Sequence, residues 1–481
     1  MTISDNLSGL PTFMRRQEVR AFVGSKRTES LVAFPSTEQE CVQVIEYCRN
    51  NSLTVCPRGS GRSYGDAILN DRNVILDLSR MNRILGFDEK TLQVRVQAGT
   101  RIIDIFSAYH ARGLTLPASP TDSTISAGGA MGANVNGKES WRVGNFGDQV
   151  VSLRLMTASG DVRTLDRTRD RELFFAVVGG MGLLGVVVDL TLQLQPVPSP
   201  YLSISVTPTG NLDQLIEQLD TLKSQADFIV VWIDAYASGK SLGRSVVHAT
   251  NWVDSPSDSK NLQDDVRRGV ARLAGQKRRA LAFYRLARPF INIGLHTQRL
   301  PFRLFNRFYF WLCGRSKANR QAELFLEHNF DKSYVVPPPD ILCGPQGFTI
   351  QISIPESKGK EAMSEMLSLC QELPCPPVTT ILRLHRQDEH LISFSENGYS
   401  LNFEFHPKKR HLQRMQKFLS ELMDCGIRHG SKVHLPKDFT LTRDQFRRIY
   451  PGYRKFLELK RQVDPDELFQ SDMYRRLFRE S

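Results

Sequence analysis

Three glycine clusters crowded between positions 57 and 147 constrain this chain more than any other feature. The first, Pro57-Arg58-Gly59-Ser60-Gly61-Arg62-Ser63-Tyr64-Gly65-Asp66, follows the strand-like run Leu53 to Cys56. The second is Gly128-Gly129-Ala130, with Asn134, Asn136 and Gly137 close behind, and the third spans Gly144 to Gly147. Glycine lets the backbone approach a ligand closely, and successive N–H groups in such turns form concavities that bind anions. One such loop is weak support, since many only redirect the chain. Three in one stretch imply backbone packed against a large, flat, phosphate-bearing ligand.

The surrounding text is mixed. From Leu31 to Pro196, short Val/Ile/Leu runs alternate with glycine turns, which suits strands of an α+β or α/β domain. Helices intervene: one starts at the Ser36/Thr37 cap, and another covers Ile102 to Arg112 and stops at Gly113. Gly180-Met181-Gly182-Leu183-Leu184-Gly185 fits the dinucleotide fingerprint, but a β-branched alternating run follows where that motif needs a helix. A tight turn entering a strand is the better reading. From Tyr201 to His406, strict alternation appears in Phe348 to Ile354 and Tyr399 to Phe405. Their polar faces, Thr349, Gln351 and Ser353 with Ser400, Asn402 and Glu404, either wall a site or face solvent. An amphipathic helix from Leu412 is expected to end at Gly426, and the tail from Thr442 to Leu477 reads as helical with a break at Tyr450-Pro451-Gly452.

With 481 residues, 41% of them apolar, disordered and fibrous classes are excluded. Eight cysteines without a C-x-x-C pair read as buried small hydrophobes in a reduced compartment. The ten histidines show no metal-binding spacing and no cysteine partner, and no Gly-x-Ser-x-Gly elbow or P-loop is present, so no metal is expected. The first residues lack a secretory signal, and the apolar stretch Val177 to Val188 is too short to span a bilayer. A cytoplasmic protein, peripheral at the inner membrane face at most, is expected.

PRGSGRSYGDA, the turn Val96 to Thr100, Ser126 to Lys138, Gly144 to Val150, Glu172 to Val187 and the closing VDPDELFQSDMYRRL occur together in an order that resembles the FAD-linked oxidases of the vanillyl-alcohol oxidase type, which carry a PCMH-type FAD-binding domain. Within that superfamily the sequence is most similar to the oxidases that act on the 2′-hydroxyl of decaprenylphosphoryl ribose. The resemblance implies an α+β fold: a two-subdomain FAD-binding domain over 1–200, an antiparallel-sheet substrate domain with flanking helices over 201–430, and a segment over 431–481 that returns to the first. It also implies that Pro57, Arg58, Gly59, Ser60, Gly61, Arg62, Ser63, Tyr64, Gly65, Asp66 and Ala67, with Ser126, Ala127, Gly128 and Gly129, cradle the cofactor. Thr121, Asn136, Gly137, Lys138, Val187 and His434 fall at further FAD-contacting positions. Several relatives bind flavin covalently through a histidine in the first loop; here Gly61-Arg62-Ser63 has none, so non-covalent FAD is expected.

Oxidising a secondary alcohol needs a hydride acceptor, which FAD supplies, and a protein group for the hydroxyl proton. By resemblance Lys437 is the first candidate for that group and Tyr64 a second, as a hydrogen-bond donor; Gln351, Arg383 and Asn402 fall on the substrate wall, Arg383 as a phosphate fork. Asn136, Asn402 and His434 depart from the family pattern, which leaves the sugar less well defined than the cofactor. The expected function is oxidation of the 2′-hydroxyl of a polyprenyl-phosphate-linked ribose, with a short-chain reductase partner completing epimerisation to arabinose for cell-envelope polysaccharide. Alternatives are a soluble aldonolactone or alditol oxidase and, remotely, a non-catalytic flavin-binding protein.

Charge adds one more expectation. The chain carries 63 Lys and Arg against 51 Asp and Glu, yet 14 of the basic residues and no acidic one lie between Val266 and Ala322, which leaves 49 basic residues elsewhere. The same 57 residues hold nine aromatics: Phe283, Tyr284, Phe290, Phe302, Phe305, Phe308, Tyr309, Phe310 and Trp311. This composition suits an anionic membrane surface better than nucleic acid, with a solvated basic face over core aromatics as the alternative.

Overall fold

A computed structural model describes residues 10–22, 26–254, 264–269, 271, 299–315, 319–330, 347–373, 376–407 and 409–479. Most of 266–322 lies outside the described residues, including Phe283, Tyr284 and Phe290.

The fold is α+β, built on three main sheets. The first has four strands in the order Met14–Arg20, Arg27–Ala33, Val74–Asp77, Val55–Arg58, with the last three parallel. Its crossover helix, Glu38–Asn50, starts where Thr37 Oγ1 accepts from the Glu40 N–H, and it buries Cys41, Val44, Ile45 and Cys48. Because the strand Val55–Arg58 runs parallel to Val74–Asp77, the first glycine loop emerges at the carboxyl end of the sheet, where open α/β sheets bind ligands.

The second sheet is antiparallel throughout: Ile84–Asp88, Gln93–Gln97, Val186–Gln193, Val150–Met156, Val162–Asp166. The turn Gly180 to Gly185 feeds the strand Val186–Gln193 rather than a helix, with positive φ at Met181, Gly182 and Gly185. The fingerprint glycines therefore serve a turn.

The third sheet has eight antiparallel strands, in the order Asn319–Leu324, Tyr201–Thr209, Ser245–Val253, Phe228–Ile233, Thr379–His385, Gly398–Phe405, Phe348–Pro355, Lys432–Val433. One face packs Ile350, Ile352, Leu401 and Phe403 under the helix Gly359–Glu372, which in turn packs against the helices Leu212–Leu222 and Leu412–Arg428. The opposite, polar face is also covered: Thr349, Gln351, Ser353, Ser400 and Asn402 are all buried. Of the six polar positions Glu404 alone is partly exposed, so general solvation of that face, the alternative left open by the sequence, is excluded.

Two helix ends differ from expectation. The helix Leu412–Arg428 runs through Gly426, and the glycine with the left-handed conformation that follows it is Gly430, at φ +71°. The tail has a second break between Tyr453–Val463 and Asp472–Leu477, where the Asp464 carboxylate accepts from Leu468 N, Phe469 N and Lys460 Nζ. Those three local bonds compete with helix continuation. The tail returns to the first sheet: Val55 N donates to Leu468 O at 2.8 Å, Gln470 N donates to Val55 O at 2.9 Å, and Arg476 clamps both oxygens of Asp66 at 2.8 Å. All six described cysteines are buried and unbridged.

Candidate active site

The first two glycine clusters meet. A Cβ on Gly59 would overlap Ser126 Oγ, and one on Gly128 would press on Ala98, so only glycine allows these backbones to close together. Ser126 Oγ accepts from Ser60 N and from Gly129 N, both at 3.3 Å, which joins the clusters and caps the short helix Ala127–Gly132. Between them opens a cavity of about 850 Å³, near the upper end of the ~300–1,000 Å³ typical of cofactor pockets. Arg58 and Arg62 line it with buried Nε atoms that have no hydrogen-bond partner among the described residues. Buried guanidinium N–H groups of that kind call for an anion.

At the other end of the cavity the first loop is tied to the turn Leu435–Lys437. Pro436 O accepts from Tyr64 N and Gly65 N, both at 3.0 Å, and from Ser63 Oγ at 2.6 Å. This fixes Lys437, whose Nζ donates to Gln351 Oε1 at 2.8 Å and to Asn402 Oδ1 at 2.7 Å, with Nζ 5.9 Å from the centre of the Tyr64 ring. Gln351 and Asn402 are directly paired across neighbouring strands, so the sheet register places both oxygens. Gln351 Nε2 donates to Ser400 Oγ at 2.9 Å and to Asn136 Oδ1 at 3.3 Å, and Ser400 Oγ lies 2.7 Å from His385 Nε2. Burial, with the Lys437 charge acting in the same direction, pulls His434 down to about 3; burial, then Arg383, does the same to His385. Both imidazoles are therefore neutral near pH 7. His434 Nε2 is 2.9 Å from Ala133 O and its ring stacks on Phe394, so the tautomer with a proton on Nε2 is held.

Arg383 lines the cavity with an Nη1 that is buried and unpartnered among the described residues, and burial lowers its pKa to about 10. Beside it, burial raises the Glu139 carboxyl to about 7, against the pull of its hydrogen bond from Ser119 N and of the Arg383 charge. The unpartnered Nη1 is a ready seat for a ligand anion.

Most sequence candidates converge on this cavity: Pro57 to Tyr64, Ala67, Thr121, Ser126, Gly128, Gly129, Asn136, Val187, Gln351, Arg383, Asn402, His434 and Lys437 line it. Five stand behind it. Gly65 packs on the Asp438 backbone, Asp66 pairs with Arg476, Ala127 is fully buried, Gly137 abuts the Glu139 carboxylate, and Lys138 Nζ donates to His328 O. The third glycine cluster also lies away from the cavity, where Gly147 N donates to Asn134 Oδ1. Sequence reasoning missed His385 and Glu139. His385 shares the strand face of Arg383, two residues away, but a lone histidine at a strand end carries no motif, and a glutamate following Lys138 reads as a solvated loop residue. The expectation that no histidine has a cysteine partner is corrected. Cys425, in the last turn of the helix Leu412–Arg428, and His429, which caps its end, stand with Glu365 so that their ligand atoms lie within 4.8 Å of one another. The Glu365 carboxylate already accepts from Arg428 and is bonded to His429.

Residues 30–166 match the FAD binding domain family, and residues 192–477 match the D-arabinono-1,4-lactone oxidase family. The chain belongs to this FAD-linked oxidase family. It is an FAD-dependent oxidoreductase, and the cavity fits that cofactor: glycines where a side chain would intrude, and two arginines whose Nε atoms lack a hydrogen-bond partner among the described residues and whose carboxylate neighbours, Asp77 at 3.7 Å from Arg58 and Asp122 at 3.8 Å from Arg62, stand beyond hydrogen-bond distance. Among similar proteins are the decaprenylphosphoryl-β-D-ribose oxidase of Mycolicibacterium smegmatis, 28% identical over 88% of this chain and 89% of that one. The L-gulonolactone oxidase of Mus musculus is 26% identical over 92% of this chain and 94% of its own. The L-gulono-1,4-lactone dehydrogenase of Mycobacterium tuberculosis is 24% identical over 93% and 96%.

Proposed function

We propose that this oxidoreductase removes two electrons from a secondary hydroxyl of a sugar, and that its substrate is the 2′-hydroxyl of a ribose carried on a polyprenyl phosphate, giving a 2′-ketone. The observation that carries this reading is Lys437, held between the amide oxygens of Gln351 and Asn402 in a cavity that Arg383 also lines, with an Nη1 unpartnered among the described residues. Bound FAD supplies the electron sink that accepts hydride from the carbinol carbon. Lys437 takes the hydroxyl proton, and the two amide oxygens stabilise the ammonium that results. The Gln351, Ser400 and His385 chain keeps the Gln351 amide turned with its oxygen toward the lysine. Arg383 binds the substrate phosphate, and Tyr64 packs beneath Lys437.

On this reading FAD is held without a covalent bond, because among the described residues no cysteine lines the cavity and the histidine that does, His434, is committed to Ala133 O and Phe394. Arg58, Arg62 and the Gly59 to Gly61 and Ser126 to Gly129 backbones hold the diphosphate. The two N-terminal sheets with 431–481 form the two-lobed PCMH-type cofactor unit, and 201–430 forms the substrate domain. A keto product calls for a reductase, for which a short-chain reductase is the partner, in an epimerisation that serves cell-envelope polysaccharide.

A second reading, oxidation of an aldonolactone or alditol, is favoured by one observation: Glu404 also lines the cavity, and a carboxylate suits polyol hydroxyls better than a phosphate. The 192–477 family match supports it too. Anaerobic reduction of the FAD-loaded protein by a polyprenylphosphoryl ribose, but not by aldonolactones or alditols, is expected. Reduction by a lactone alone would transfer the protein to the second reading, and reduction by none would refute both.

A further inference from the structure

The helix Arg299–Arg315 is apolar on two sides, and among the described residues one of them is packed against the fold. Its inner side meets the eight-stranded sheet. Phe302 stacks on Tyr236, Asn306 Nδ2 donates to Asp234 Oδ1 at 2.7 Å, the Tyr309 ring packs edge-on against Trp232, and Cys313 is buried. These positions follow the helical period and account for the docking of the helix.

Leu304, Phe305, Phe308, Trp311 and Leu312 project from the other side and are between 47% and 59% exposed. At about 100° per residue they occupy one continuous arc. Five large apolar side chains on a single arc are not the scattered exposed hydrophobes of an ordinary surface; they mark a contact. Arg303, Arg307 and Arg315 are exposed along the same helix, and Arg315 lies 4.2 Å over the Trp311 ring. No acidic residue occurs anywhere between Val266 and Ala322.

We propose that this outer face is a membrane-surface anchor, lying in the headgroup region of an anionic bilayer with its aromatics inserted and its arginines on lipid phosphates. Arginines beside an aromatic stripe, on a helix without an acidic residue, are the pattern of interfacial helices, whose apolar side sinks ~5–10 Å below the phosphates. Among the described residues no helix is long and apolar enough to cross a membrane, so attachment by this face is superficial and salt-sensitive.

The anchor does not depend on which sugar is oxidised, and its test reads binding, not turnover. The FAD-loaded full chain is floated with vesicles of phosphatidylcholine alone or with phosphatidylglycerol added, alongside the triple variant Phe305→Ser, Phe308→Ser, Trp311→Ser. Flotation is expected only with phosphatidylglycerol, is expected to be lost at high salt, and should fall at least about tenfold in the variant while its flavin absorbance is unchanged. A second variant, Arg303→Gln with Arg307→Gln, should weaken binding without touching the core. Equal binding by wild type and the triple variant, or no binding to anionic vesicles, would overturn the proposal. So would a vesicle-independent dimer in sedimentation that the triple variant abolishes, because the face would then belong to a second copy.

Discussion

Replacing Lys437 with methionine keeps the length and apolar stem of the side chain and deletes the amino group. In the structure that amino group makes two short donations, at 2.8 Å to Gln351 and 2.7 Å to Asn402. Deleting it leaves two amide oxygens facing a cavity large enough for water, so folding stability should change by less than about 1 kcal/mol. The barrier to substrate oxidation loses its proton acceptor, which general-base catalysis values at about 10²–10⁴ in rate, or roughly 2.7–5.4 kcal/mol. Stopped-flow absorbance under anaerobic conditions would follow reduction of the bound flavin, with FAD content and melting temperature measured on the same sample. We expect Lys437→Met to hold FAD fully and melt normally while reduction slows by at least about a hundredfold. Reduction within tenfold of wild type would show that Lys437 does not take the proton, and loss of FAD would assign it to cofactor binding instead.

Four further outcomes follow from the same geometry. Ser400→Ala takes the nearer of two acceptors from Gln351 Nε2 and leaves His385 Nε2 unpaired in a buried site, so it should cost about 1–3 kcal/mol in denaturant unfolding and slow flavin reduction without loss of FAD; unchanged reduction would remove the Gln351–Ser400–His385 chain from the mechanism. Gly59→Ala forces a Cβ onto Ser126 Oγ, and FAD affinity by fluorescence titration should drop at least about tenfold; normal affinity would show that the two glycine clusters need not close. Arg383→Met should raise KM for phosphate-bearing substrates about tenfold or more and spare neutral polyols, whereas an equal effect on both would place Arg383 in folding rather than recognition. Glu139 has a folded pKa of about 7 against an ordinary value of 4.5, so the native state binds the proton more tightly and stability falls as pH rises between those values, by up to about 3 kcal/mol. Glu139→Gln should therefore raise the melting temperature more at pH 8 than at pH 5, and an equal shift at both would mean that Glu139 is ionised throughout.

Much of this was legible because its signals are local. The Thr37 cap, the glycine loop after Val55–Arg58 and the alternation in Phe348–Pro355 and Gly398–Phe405 each depend on neighbours in sequence, and each appears as expected. The polar face of those strands could not be assigned from the pattern, since a face over a cavity and a face over water carry the same residues. The resemblance brought Lys437, Gln351 and Asn402 together; the sequence alone separates Lys437 from Tyr64 by several hundred residues, and the fold closes that distance through the Pro436 carbonyl, which accepts from the first loop, and through Arg476, which joins Asp66 to Asp438. Glu139 and Arg383 were invisible as a pair because burial, which makes them consequential, is a property of the assembled fold. The helix end misplaced at Gly426 has a similar cause: tertiary packing between Leu412–Arg428 and Gly359–Glu372 outweighs the modest cost of a glycine inside a helix.

The central claim is that a carbinol C–H bond of a sugar hydroxyl breaks in this cavity with the electrons passing to FAD. The most direct measurement is the rate of anaerobic flavin reduction by polyprenylphosphoryl ribose carrying deuterium at C2, compared with protium and with deuterium at C3. A primary isotope effect confined to C2, with reduction going to completion in a single turnover, is the result expected. Equal rates for all three substrates, or an effect that follows C3, would contradict the assignment of the reacting carbon, and a flavin that stays oxidised would contradict the claim itself.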